Sequence, residues 1–224
     1  PKGIAAYEWM TKGAILYIHL GRGRASFNSV YGMNPSHHNE AIKCFDKAIE
    51  LNPKDANVWK HKGDTLVDLA EHGMKPSVFI LKQFKDPEEQ KKRIVLAQFN
   101  KYMEAVMCYE KVTELDPKDS TAWTKLGIGQ GVQSIEGSES AGQAKAVECL
   151  RKAVKLDPKN AIAWLIMGYL LSYQGNKAVS GKCFKKALRL DPSLTKADFH
   201  VGEISKLAEK HVEKNNERLL SEAF

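Results

Sequence analysis

Aromatic side chains make up only 8% of the 224 residues, and no apolar run reaches the roughly 20 residues that a membrane-spanning helix needs. The most apolar stretch, Ala161 to Tyr173, contains Gly168 and Ser172 and reads as a buried helix. With 4 Cys, 8 Pro and 16 Gly, the chain is neither a disulfide scaffold, nor collagen-like, nor low-complexity. Its opening, Pro1-Lys2-Gly3, leads into no basic segment, apolar run and small-residue cleavage site, so export is not expected. Catalytic signatures are missing too: there is no His-Glu-x-x-His, Gly-x-Ser-x-Gly, Ser-x-x-Lys or Cys/His/Asn arrangement. The acid pair Glu88-Glu89 follows Pro87, as in the first turn of a helix. Neither sign of charge dominates: 34 Lys and Arg face 27 Asp and Glu, a net +7 that permits acidic partners without naming one. The expectation is a folded, soluble, non-enzymatic chain with no cofactor, no catalytic residue and no metal ligand.

What the chain does have is a repeat. Four segments align, Ala41–Pro53, Ala105–Pro117, Ala146–Pro158 and Ser180–Pro192, each an amphipathic helix stopped by proline. Trp59, Trp123 and Trp164 each follow such a proline by six residues, and every tryptophan is followed four residues on by glycine: Trp9/Gly13, Trp59/Gly63, Trp123/Gly127 and Trp164/Gly168. After Pro192 the same spacing gives Asp198 and Gly202, a degenerate unit as a cap should be. A glycine one turn from a large aromatic shares its helical face, and its missing side chain lets a second helix come close. Small residues at Ala48, Ala153 and Ala187 do the same from the other side, while Asp55, Asp119 and Asn160 are placed to cap the next helix.

These residues resemble the tetratricopeptide repeat, with its Trp-x2-Leu-Gly-x2-Tyr, Ala-x3-Phe and Pro positions over about 34 residues. Trp164 to Pro192 keeps the family's unbroken spacing of 28; the other three repeats carry 16, 30 and 7 extra residues between their helices. The family's Leu position holds Lys12, Lys62, Leu126 and Met167. The resemblance implies an all-α, right-handed α-solenoid of helix-turn-helix repeats with inter-helix insertions. The repeats fall at about 6–55, 56–119, 120–160 and 161–194, in a single domain over 1–224 with a capping helix at about 195–220.

The resemblance also implies that the first helix of each repeat lines a concave groove for a peptide or helix of a partner protein. The groove residues would include Tyr7 and Met10 from the first repeat, Lys60 and His61 from the second, Lys125 from the third, and Ile162, Leu165, Ile166, Tyr169 and Tyr173 from the fourth. The fourth opening helix is apolar nearly all round and must be covered. Trp164, Met167 and Leu171 account for packing within the repeat. The remainder invites either a partner helix or the chain's own inserts or C-terminal helix. A receptor for acidic chaperone tails is disfavoured, because Met10, Ala14 and His61 stand where the family's Lys and Asn residues would.

Cys44, Cys108, Cys149 and Cys183 occupy one equivalent site per repeat, too far apart for a disulfide or a zinc site, so separate, reduced, partly buried thiols and a cytoplasmic setting are expected. His37-His38 reads as a solvated loop, and Gly127-Ile-Gly-Gln-Gly131 as helix packing, not a nucleotide loop. In the longest insert, Asp86-Pro87-Glu88-Glu89 starts a helix that extends the second repeat's closing helix backward, and Val78–Leu81 form an apolar knot. Glu136–Gly142 reads as a surface loop. The alternative function is RNA association through Arg22, Arg24, Lys82, Lys85, Lys91, Lys92, Arg93, Lys182, Lys185, Lys186 and Arg189. Interleaved acids and the lack of stacking aromatics disfavour it.

Overall fold

The computed structural model describes residues 2–21, 35–72, 86–137 and 140–195, and among these the regular elements are helices alone. They are α1 (Lys2–Ile15), continued by a π-helical turn (Leu16–Gly21), α2 (Pro35–Leu51), α3 (Ala56–His72), α4 (Pro87–Leu115), α5 (Ser120–Gly137), α6 (Ser140–Leu156), α7 (Ala161–Tyr173), α8 (Lys177–Leu190) and a 3-10 turn (Pro192–Thr195). The chain divides into two compact units, Pro1–Asp116 and Pro117–Phe224. In the first, α1 pairs with α2 and α3 with α4, and α2 packs on α3. In the second, α5 pairs with α6 and α7 with α8, and α6 packs on α7. The expected capping helix, Val78–Leu81, Arg22, Arg24, Lys82 and Lys85 lie outside the described residues.

Each hairpin closes around its glycine. A Cβ on Gly127 would lie 2.8 Å from Leu150 Cγ and 3.1 Å from the Ala146 carbonyl oxygen. At Gly13, Gly63 and Gly168 the same space is filled by the rings of Phe45, Tyr109 and Phe184. The glycine thus seats the large residue of the second helix, while the small residues Ala41, Ala48, Ala105, Ala146, Ala153 and Ala187 are buried beside it. Val58 completes the core between α2 and α3, Leu66 and Leu69 are buried on α3, and Ala163, Ile166 and Leu170 complete the core between α6 and α7.

The turns between repeats are built locally. Backbone bonds such as Asp157 N–H to the Ala153 carbonyl (2.8 Å) end the closing helices. Asp119 accepts from the Ala122 N–H and Asn160 from the Ala163 N–H, both at 2.9 Å, and Asp55 accepts from the Asn57 N–H at 3.0 Å, so all three anticipated caps form. Asp86 likewise accepts from the Glu89 N–H at 3.0 Å and opens the 29-residue α4, the backward extension read from the sequence. Gly175, at φ 78°, turns the chain between α7 and α8 in the left-handed region that favours glycine.

Three readings change. His38 is not in a solvated loop. Pro35 starts α2 in the position where proline is favoured, and one turn in, His38 is fully buried with its ring edge-on to Tyr17 at 6.0 Å. The polar segment Glu136–Gly142 is largely helical, since α5 runs to Gly137 and α6 begins at Ser140. Extending an existing helix gains a hydrogen bond for each residue fixed. All four thiols are buried outright, not in part, and none is in a disulfide.

Candidate functional site

The tryptophans frame the surface from which any groove would be built. Each of Trp59, Trp123 and Trp164 donates its indole N–H to the carbonyl of the proline six residues earlier, at 2.9, 2.9 and 3.0 Å. The Pro-x5-Trp spacing is therefore a turn clasp, holding the entry of a first helix to the exit of the second helix before it. The indoles remain partly exposed, and lysines lie over those of Trp9, Trp59 and Trp123. Lys12 Nζ is 5.2 Å from the Trp9 centroid, Lys62 is 6.0 Å from Trp59, and Lys152 is 4.5 Å from Trp123. Lys62, in the family's Leu position, sends its ammonium on to Asp46 of α2, so a lysine serves there as an apolar stem with a paired head.

In the first unit the predicted groove residues separate. Tyr7 is exposed on α1, whereas Met10 packs against the cluster of Tyr17, Ala41, Phe45, Ala48 and Val58. Lys60 is half-buried on α3, and His61 stacks on Phe45 with centroids 5.9 Å apart and planes 15° from parallel. Around them runs a set of phenol-carboxylate bonds that the sequence did not reveal. Tyr17 donates to Asp68 at 2.7 Å, Tyr109 to Asp64 at 2.8 Å and Tyr102 to Glu71 at 2.7 Å. Burial and the adjacent carboxylates push the Tyr102 and Tyr109 phenols well above their ordinary range, so both stay protonated donors. Such charge-assisted bonds fix α3 between its neighbours and leave it a polar, net acidic face. Their partners lie 51, 45 and 31 residues apart in the chain, beyond the reach of any local pattern.

In the second unit, Lys125 is half-buried on α5, beside Thr124, whose hydroxyl accepts from Asn160 at 2.9 Å. On α7 the structure corrects the expectation for two residues. Leu165 is 4% exposed, packed with Phe184 and Ala187 of α8 and with Leu194, and Ile166 is 6% exposed in the core against α6. They are packing residues, because α7 receives a helix on each side and only a narrow stripe is left over. That stripe holds Ile162 (45% exposed) and Tyr173 (52%), with half-buried Tyr169 between them, its ring edge-on to Phe184 at 5.1 Å. Residues 162, 169 and 173 are spaced to share one helical face.

Among the described residues, no group of three or more His, Cys, Asp or Glu could hold a metal ion, and no helix is long and apolar enough to cross a membrane. Burial pushes the Cys44 and Cys183 thiols up, and the Cys108 thiol up to about 12.

Helical hairpins with a second helix seated on a first-helix glycine, and a proline clasp between repeats, define a helical-repeat protein. The tetratricopeptide repeat model matches residues 25–55, 95–119, 143–160 and 161–194. The chain belongs to that family. Among solved structures it is similar to "MamA RS-1 ArsTM double mutant", with 18% identity, a TM-score of 0.54, and coverage of 86% of this chain and 78% of that one. It is also similar to "MamA 41-end" from Desulfovibrio magneticus RS-1, with 19% identity, a TM-score of 0.40, and coverage of 84% and 96%. A third similar structure, at 19% identity, a TM-score of 0.38, and coverage of 70% and 79%, is that of YrrB, described as a TPR protein with an unusual peptide-binding site. No curated protein matches the sequence.

Proposed function

We propose that the chain is a non-enzymatic scaffold that holds a peptide or helix of a partner protein against its first helices, in a cytoplasmic setting. The observation that carries this reading is the apolar stripe on α7. Ile162 and Tyr173 stand exposed, with half-buried Tyr169 between them, on a helix whose other large apolar residues apart from Trp164 are buried. An apolar stripe flanked by packed helices suits an amphipathic partner helix, whose anchors recur every three to four residues. The phenol-carboxylate face of α3, with Lys60 and His61, supplies a second, polar contact of acidic character. Four buried thiols, none of them in a disulfide, fit a reducing compartment. On α4, Arg93 pairs with Glu89 at 3.4 Å, the kind of interleaving that disfavours RNA.

The test is peptide-display selection against the intact chain and against an Ile162→Asp/Tyr173→Asp variant. Both substitutions lie at exposed sites, so the variant keeps the helical circular dichroism and urea midpoint of the parent. Selected peptides carrying apolar anchors at helical spacing should bind the parent and lose about tenfold or more in affinity on the variant. Selections that yield no such peptide, or peptides that bind both chains equally, would refute the proposal.

A further inference from the structure

The second helices of the four repeats share one register, and the sign of charge within it reverses between the two units. Counted from the small residues Ala41, Ala105, Ala146 and Ser180, the residue six on is lysine in every repeat: Lys47, Lys111, Lys152 and Lys186. The residues five and nine on are acidic in the first unit, Asp46 and Glu50 on α2 and Glu110 and Glu114 on α4. In the second unit both are basic, Arg151 and Lys155 on α6 and Lys185 and Arg189 on α8. Residues four apart are neighbours on one helical face, so a row of carboxylates has become a row of cations. Pairing changes with it. In the first unit Lys47 meets Glu50 at 2.8 Å, Lys111 meets Glu114 at 2.7 Å, and Lys62 meets Asp46. In the second unit all four cations are exposed, and no described carboxylate pairs with them. Glu148, the one acidic residue of α6, is taken by Lys152 at 3.1 Å, and α8 has no acidic residue. The two helices adjoin: Cys183 of α8 lies in the same buried cluster as Leu150 and Val154 of α6. Burial raises the Cys183 thiol, and the Arg151 charge acting from α6 opposes that rise.

We propose that the exposed side of α6 and α8 docks an acidic segment of a partner protein, with carboxylates four residues apart to meet Arg151 and Lys155 or Lys185 and Arg189. Charge complementarity selects this occupant. A second copy would bring its own net +7. Its carboxylates at Asp46, Glu50 and Glu114 are engaged by lysines, and those at Asp64, Asp68 and Glu71 by phenols. Of this chain's own segments outside the described residues, 22–34 and 73–85 contain no acidic residue, 138–139 contains one, and 196–224 sets five basic residues among its six acidic ones. None of them is a polyanion. The large apolar residues exposed on these two helices, Leu156 and Val179, offer no ring on which a base could stack. Phe184 and Ala187 of α8 are buried, which leaves no apolar face to enter a bilayer. The site is separate from the groove on the first helices and does not depend on it.

The experiment measures fluorescence anisotropy of the full chain with a labelled alanine-based helical peptide carrying a glutamate at every fourth residue, and with its glutamine counterpart. The glutamate peptide should bind saturably, weaken as salt is raised, and bind roughly tenfold or more tighter than the glutamine peptide. This comparison uses the unaltered chain. A Lys185→Asp/Arg189→Glu variant, which gives α8 the residues of α2 at these positions, should keep the parent's circular dichroism and urea midpoint and lose roughly tenfold in affinity. Lys43→Asp/Lys54→Asp makes the same change in net charge at exposed sites of the first unit, and should bind as the parent does. Equal binding of the two peptides, or equal loss in the two variants, overturns the proposal, the second result because it would reduce the effect to general attraction by a basic chain. Absence of binding overturns it as well. So does self-association in sedimentation that Lys185→Asp/Arg189→Glu abolishes, which would make the occupant a second copy. Tighter binding of RNA or of phosphatidylserine vesicles at the same salt, lost in that variant, would assign the face to nucleic acid or to a membrane instead.

Discussion

Two glycines one turn apart on α5 should respond to the same substitution with opposite sign. Replacing an interior helical glycine by alanine removes backbone freedom from the unfolded chain and gains about 0.8–1.0 kcal/mol in helix propensity. At Gly131 the new methyl group would stand 3.5 Å from Leu170 Cδ2 and 3.9 Å from Ala146 Cβ, ordinary contact distances, so Gly131→Ala should keep that gain. At Gly127 it would stand 2.8 Å from Leu150 Cγ and 3.1 Å from the Ala146 carbonyl oxygen. The first atom is a branch point and the second is backbone, so neither clears by a simple rotamer change, and α6 must move away from α5. Overpacking of this kind costs about 1–3 kcal/mol, which outweighs the propensity gain for most of that range. Gly131→Ala should therefore raise the urea midpoint and Gly127→Ala lower it, separating the two variants by about 1–3 kcal/mol. If Gly127→Ala proved as stable as Gly131→Ala, the glycine would not be the seat of the second helix, and the account of hairpin closure would fail.

Ser180 stands where the other three repeats have alanine, fully buried, and its hydroxyl oxygen has no hydrogen-bond partner. Ser180→Ala should leave the fold intact and stabilise it by about 1–3 kcal/mol in chemical denaturation, because a buried hydroxyl without a partner carries that desolvation cost. A loss of stability would mean that the hydroxyl is paired. Cys108, with its thiol raised from 9.0 to about 12 by burial, should resist alkylation in the folded chain at pH 8. The sign of its pH linkage follows. The folded thiol holds its proton more tightly than the unfolded one, so its contribution to stability is complete below pH 9 and is lost as the pH rises towards about 12. Cys108→Ala should flatten that alkaline limb of a stability-versus-pH curve, and an unchanged limb would assign it to other groups.

The parts of the molecule that were legible in the sequence are those set by neighbours within about a repeat's length. Trp-x3-Gly, the small residues and the Asx-Pro stops placed the hairpins, and the caps at Asp55, Asp119 and Asn160 formed as spaced. The family model itself spans a whole repeat only at 161–194, where no insert separates the helices. Elsewhere the inserts hid helix starts, and His38 was misplaced because nothing but Pro35 marked the beginning of α2. On α7 the difficulty was different. A helix apolar on every side has no periodicity to say which side faces which neighbour, so Leu165 and Ile166 could not be told from Ile162 and Tyr173 until α6 and α8 were in place. The Pro-x5-Trp spacing was visible, but its meaning was not: the invariant six residues are what an indole N–H needs to reach a proline carbonyl across the turn. That clasp uses the polar edge of a large apolar ring, and so it satisfies a turn carbonyl without adding a polar side chain to the core. The glycine seat and the indole clasp are thus separate devices on one helix, the first closing a repeat on itself and the second joining it to the repeat before. Trp9 has only the first of these two arrangements, since Gly3 stands where the others have proline.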